Sequence, residues 1–91
     1  MIYSLRYSKR ASKQLDKIDK NQSKIITLWL LKNIDGCEDP RVLGSALSAD
    51  HRGKWRYRDG KYRILVEIKD EELIVLALEI GHRKEVYKKH Y

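Results

Sequence analysis

The chain has 91 residues, with 20 Lys and Arg against 13 Asp and Glu, a formal net charge of +7. That length allows a single domain over residues 1–91 and excludes a two-domain enzyme, a full dinucleotide-binding domain or an eight-stranded α/β barrel. A hydrophobic content of 42% is enough for one small core with a radius of gyration of roughly 12 Å, so the chain is expected to fold, with any site a shallow surface or groove and the surplus cations pointing to a polyanionic partner.

Other classes fall away on short inspection. No run approaches the ~18 apolar residues of a membrane span. The opening residues Met1 to Arg6 lack the long apolar stretch of a secretory leader. Cys37 is the single cysteine, so neither an intrachain disulfide nor a cysteine-based zinc site is expected, and a reducing cytoplasm is the natural compartment.

Ile2 to Tyr7 alternates, with Tyr3, Leu5 and Tyr7 on one face, and predicts a half-buried strand. Ser8 is placed to cap a helix in which Ala11, Leu15 and Ile18 recur at helical spacing while Lys9, Arg10, Lys13 and Lys17 face water. Asp19 with Gln22 three residues on resembles a capping box, and a second helix carries Ile25, Ile26, Leu28, Trp29 and Leu31 as far as Asn33 to Gly36. The pair predicts a helical hairpin lying across a sheet. Glu38 to Pro40 reads as a turn, Val42 to Leu47 as about one helical turn, and His51-Arg52-Gly53 as a basic loop. Lys54 to Arg58 alternates strictly, Asp59-Gly60 is a preferred two-residue hairpin turn, and Lys61 to Lys69 alternates again. Asp70 to Glu72 is an acidic turn, Leu73 to Ile80 an apolar central strand ended by Gly81, and Arg83 to Tyr91 a short basic helix or tail. The fold class expected is α+β, in the order β-α-α-β-β-β-α, with a mainly antiparallel four-stranded sheet.

A turn centred on Asp59-Gly60 sets Arg58 against Lys61, Tyr57 against Tyr62, Arg56 against Arg63, Trp55 against Ile64 and Lys54 against Leu65. Trp55, Tyr57, Tyr62, Ile64, Val66 and Ile68 then share the core side. Lys54, Arg56, Arg58, Lys61 and Arg63 share the other, where two cross-strand pairs are cation against cation. Each such pair destabilises a sheet by up to about 1 kcal/mol. The simplest compensation is an anion across that face, and the planar fork of arginine suits phosphate. From His51 to Arg63 only Asp59 opposes six Lys and Arg, and the other acids, Glu67, Asp70 to Glu72 and Glu79, lie further along the chain. A membrane surface fits less well, because the aromatics point to the core side of a strand rather than beside the cations of an amphipathic helix.

Lys54-Trp55-Arg56-Tyr57-Arg58, Lys61-Tyr62-Arg63-Ile64-Leu65 and the ending Gly81-His82-Arg83-Lys84-Glu85-Val86-Tyr87 come in the order found in the RelE toxins of the RelE/ParE superfamily, which the chain resembles over most of its length. The resemblance implies the toxin component of a type II toxin-antitoxin system. It implies an endoribonuclease that cuts mRNA in the ribosomal A site by attack of a ribose 2′-hydroxyl on the adjacent phosphate, leaving a 2′,3′-cyclic phosphate without metal or other cofactor. The sequence itself shows no His or carboxylate cluster at metal-ligand spacing. A RelB-like antitoxin is the implied protein partner, with an acidic or amphipathic segment that covers the basic groove or displaces the tail. The ribosome and its mRNA are the implied targets, and no membrane is involved.

By position, Lys54, Arg56, Arg63, Arg83 and Tyr87 match the family's functional set. Lys54 and Arg63 would hold the scissile phosphate, Arg83 would clamp the leaving oxygen or donate a proton to it, and Tyr87 would stack on a nucleotide. The family's best-known member has lysine where Arg56 stands, and an arginine is a poor base. Proton abstraction then falls to Lys54, crowded by like charge, or to His82. Lys9, Arg10, Lys13, Lys17, His51, Arg52, Arg58 and Lys61 would contact RNA more broadly, with Lys20 and Lys24 extending the helical patch. Two alternatives stay open: a ParE-like toxin of the same fold that poisons gyrase, and a member that binds RNA or antitoxin without catalysis.

Overall fold

The structure, a computed structural model, describes residues 1–47 and 54–82. Seven elements follow in chain order: β1 (Ser4–Tyr7), α1 (Lys9–Lys17), α2 (Lys20–Asn33), β2 (Ser45–Ala46), β3 (Lys54–Asp59), β4 (Tyr62–Lys69) and β5 (Ile74–His82). The expected α+β class and helical hairpin are both present, and the Cα radius of gyration is 12.2 Å. The tail from Arg83 and the basic loop His51-Arg52-Gly53 lie outside the described residues.

The helix boundaries follow from local chemistry. The Ser8 hydroxyl accepts from the Ala11 amide at 3.0 Å and donates to the Leu78 carbonyl at 3.0 Å, so one side chain caps α1 and ties it to β5. The Asp19 carboxylate accepts from the Asn21 and Gln22 amides and starts α2. Gly36, at φ 82°, takes the left-handed conformation just past the end of α2.

The sheet has five strands in the order β1-β5-β4-β3-β2, with β1 parallel to β5 and the other pairs antiparallel. The fifth strand is β2, which replaces the helical turn expected for Val42 to Leu47. Gly44, at φ 81°, leaves helical space there. A Cβ at Gly44 would fall on the Arg56 carbonyl and within 2.8 Å of Trp55 Nε1 and Tyr57 Cδ1, so the loop hugs β3 only because this residue is glycine. Trp55 Nε1 donates to the Leu43 carbonyl at 2.7 Å and completes the attachment.

The hairpin register differs from expectation. Gly60 and Lys61, not Asp59 and Gly60, are the central turn residues, and Asp59 pairs with Tyr62. A type I′ turn on Asp59-Gly60 would need positive φ at both, whereas Gly60 alone is positive, at 60°, as in a type II′ turn with glycine first. The register slides by two residues, so both faces keep their composition while the partners change. Lys54 opposes Glu67, Arg56 opposes Leu65, and Arg58 against Arg63 is the one cation pair left. β5 also runs through Gly81 to His82, which pairs with Tyr62. A register shift between Leu65 and Val66 leaves Leu78 as an extra residue on β5, a bulge.

The core lies between the helices and one sheet face. Ala11, Ile26, Leu30 and Ile34 pack against Tyr57, Ile64, Val66, Ile68, Val75, Ala77 and Ile80. Polar contacts hold the connection after α2. Arg41 grips Asp70 with two hydrogen bonds of 2.9 and 3.0 Å, and the Tyr3 hydroxyl donates to the same carboxylate at 2.6 Å. The Tyr57 hydroxyl donates to the Pro40 carbonyl at 2.6 Å, and burial pushes that phenol far above its ordinary pKa, so it stays a donor. Among the described residues no helix is long and apolar enough to cross a membrane.

Candidate phosphate-binding face

Strand pleating sends alternate residues of β3, β4 and β5 to the face turned away from α2. Cross-strand register arranges them in three rows: Arg58, Arg63 and Gly81; Arg56, Leu65 and Glu79; Lys54, Glu67 and Leu76. Neighbouring strands are about 4.8 Å apart and successive rows about 7 Å apart. Arg56, Arg58 and Arg63 therefore occupy one corner, with Gly81 contributing no side chain beside Arg63.

Each of these cations has a different environment. Arg58 and Lys61 are exposed. Lys54 is half-buried with Nζ 3.8 Å from Glu67 Oε1, so it is not crowded by like charge alone. Arg56 donates to the Ser45 hydroxyl at 2.9 Å. Arg63 is only 4% exposed, its Nε is sealed, and its side chain makes no hydrogen bond or ion pair with the described residues. Burying a guanidinium without a partner is costly, and an anion is the group that removes the cost.

The acids are less segregated than their sequence positions imply. Glu67 shares the face through Lys54, and Glu79 is buried at 2% exposure in the middle row. Arg10 of α1 reaches over to bond Glu79 Oε1 at 2.9 Å, while Oε2 has no partner among the described residues. Arg10 is thus partly committed to the sheet, whereas Lys9, Lys13 and Lys17 remain exposed on α1, as do Lys20 and Lys24 on α2. In the sequence Glu79 stands as a distant acid. The signal available was a glutamate inside an otherwise apolar run, where charge is rarely buried unless paired.

His82 does not join this cluster. Its cross-strand partner Tyr62 lies on the helix side, and the two rings meet edge to face at 6.1 Å. Arg83, Tyr87, His51 and Arg52 lie outside the described residues. The described face can therefore hold a phosphate and stabilise charge developing on it, by guanidinium hydrogen bonds in a partly desolvated setting. Among the described residues no three His, Cys, Asp or Glu side chains are grouped to hold a metal ion.

The family described as the ParE toxin of type II toxin-antitoxin systems matches residues 5–87. The chain belongs to this family. It is a toxin of the RelE/ParE superfamily and a component of a type II toxin-antitoxin system. Toxin RelG of Mycobacterium tuberculosis is 26% identical over 89 residues, which span 98% of this chain and all of that protein. The toxin-antitoxin complex RelBE2 of the same organism contains a chain that superposes with a TM-score of 0.81 at 25% identity, covering 91% of this toxin and 93% of that chain. The E. coli toxin RelE, in a doubly substituted free form, shares the fold with a TM-score of 0.75 at 24% identity over 98% and 94% of the two chains.

Proposed function

We propose that this toxin is a ribosome-dependent, metal-independent endoribonuclease that cleaves mRNA in the A site and so stops translation. The observation that supports this reading above others is Arg63, buried and without a partner among the described residues, in a corner shared with Arg56 and Arg58. In the proposed reaction Arg63 and Arg56 hold the scissile phosphate and stabilise the pentacoordinate transition state as the 2′-oxygen attacks and the 5′-oxygen leaves. Arg83 neutralises the leaving oxygen and Tyr87 stacks on a base, as their family positions imply. Arg56 is a phosphate ligand rather than a base, and because Lys54 is paired with Glu67 instead of crowded by like charge alone, proton abstraction falls to a group outside the described residues. The exposed cations of α1 contact ribosomal RNA, and a RelB-like antitoxin is the inhibitory partner in the cytoplasm.

Primer extension on translating ribosomes tests this directly. Wild-type protein should yield breaks within the A-site codon whose upstream fragments end in a 2′,3′-cyclic phosphate, and Arg63→Ala should remove them. The matching family's ParE description supports a second reading, inhibition of gyrase. Absence of breaks with wild-type protein, together with a block of supercoiling in a ribosome-free gyrase assay, would establish that reading instead.

A further inference from the structure

At the outer edge of β3 a shallow cavity of about 410 Å³ adjoins the phosphate face and shares Arg56 and Arg58 with it. It exists because β2 is short. Ser45 and Ala46 pair only with Arg56 and Trp55, so the outer edge of β3 beyond Arg56 has no neighbouring strand among the described residues. Trp29 of α2 forms one wall, with its ring 5.7 Å from Tyr57 and tilted by 53°. Leu43, Gly44 and Ser45 form another wall, and Arg56 and Arg58 supply the cationic rim. Gly44 lets this wall lie directly against β3, since a Cβ there would strike the Arg56 carbonyl.

We propose that this edge pocket is a nucleotide subsite, in which a base lies against Trp29 and its phosphate is held by Arg58, with Arg56 at the border shared with the scissile phosphate. An indole beside two guanidiniums matches a nucleotide better than a simple anion, because stacking uses the ring and charge-assisted hydrogen bonds use the rim. The volume falls within the range of small-molecule sites. Continuity gives the direction: Arg58 is the cross-strand partner of Arg63, so a strand with one phosphate at Arg63 continues around the β3 edge into the pocket. The subsite thus takes a nucleotide flanking the cleaved bond. It rests on the nuclease reading for its role but not for its binding chemistry.

Amide and indole NMR spectra of the purified toxin, titrated with adenosine and cytidine 5′-monophosphates, test the assignment without ribosomes. Saturable shifts of the Trp29 indole N–H and of the Gly44 and Ser45 amides are expected. Arg58→Glu, an exposed change, should weaken them at least tenfold. Trp29→Leu, which keeps apolar bulk against Tyr57, should abolish the difference between nucleotide and inorganic phosphate. Equal shifts from inorganic phosphate with wild-type protein, nucleotide shifts confined to Lys54 and Arg63, or a response to an acidic peptide but not to nucleotide would each overturn the subsite. Binding at Trp29 without ribosomal cleavage by the wild type would overturn the nuclease reading and leave the subsite standing. Cleavage with no Trp29 response would do the reverse.

Discussion

The two faces of the central sheet are made of alternate residues of the same strands, yet they are finished in opposite ways. On the helix side Tyr57, Ile64, Val66, Val75, Ala77 and Ile80 are sealed under Ala11, Ile26, Leu30 and Ile34, and the one buried hydroxyl, that of Tyr57, has its acceptor. On the other side Arg63 and Glu79 are nearly as buried, but Arg63 Nε and Glu79 Oε2 have no partner among the described residues. Burial on the first face stabilises the fold. On the second it keeps charge partly dry and incompletely satisfied, a state that opposes folding; at Arg63 an anion relieves it, whereas at Glu79 only a further donor does. The comparison separates stability from function, and substitutions on the two faces should separate them as well.

The largest effect on stability belongs to the helix face. Leu30→Ala empties a fully buried position and should cost about 2–5 kcal/mol in urea unfolding, while leaving cleavage per folded molecule unchanged. Arg63→Met should do the opposite. A loss of a charged contact to the transition state lowers turnover by roughly 10²–10³, or about 2.7–4 kcal/mol of barrier. Removing a buried guanidinium that has no partner among the described residues should leave stability equal or slightly raised. If Arg63→Met unfolds as readily as Leu30→Ala, the residue is structural and the contrast between the faces collapses.

A smaller effect tests where the helix meets the second face. Arg10→Ala strands the buried Glu79 carboxylate and should destabilise by about 1–3 kcal/mol. Lys13→Ala, on the same helix but exposed, should stay within about 0.5 kcal/mol. Adding Glu79→Leu to Arg10→Ala should restore most of the loss, because the stranded charge is then gone. Equal effects of Arg10→Ala and Lys13→Ala in chemical denaturation would mean that Glu79 is solvated in the absence of its partner.

Much of this contrast was legible in the sequence, and the parts that were not have identifiable causes. Period-two alternation from Lys54 to Lys69 assigned both faces correctly even though the turn was placed one residue early, because a slip of two residues in register preserves side. That same slip hid the Lys54–Glu67 pairing and doubled the apparent number of cation pairs. β2 was unreadable because two residues carry no periodicity, and Gly44 acts through a close approach to β3 that only the folded chain defines. The Arg10–Glu79 contact joins positions 69 residues apart in the chain. His82 was placed among site candidates by its neighbourhood in sequence, and the strand that continues through Gly81 puts it beside Tyr62 instead.

The smallest effect concerns the clip at the end of the helix face, where Arg41 and Tyr3 converge on Asp70. The Arg41 hydrogen bonds, and then that of Tyr3, hold the Asp70 carboxyl below its ordinary value of 3.8. A carboxyl whose folded pKa is depressed adds stability that is complete above the unfolded pKa, near 4, and that disappears as pH falls through the folded value. The difference in unfolding free energy between wild type and Asp70→Asn should therefore be constant from pH 7 to about 5 and shrink below pH 4. Both partners are substantially exposed, at 38% and 55%, so solvent screening limits the plateau to about 0.2–1 kcal/mol. Added salt should reduce it further. None of these charges touches the phosphate face, so ribosomal cleavage by Asp70→Asn should match wild type at neutral pH. A pH-independent difference would mean that the clip acts through the shape of the Arg41 loop rather than through charge. A loss of cleavage would mean that the loop it anchors, which runs on to Gly44 and Ser45, governs the geometry of Arg56.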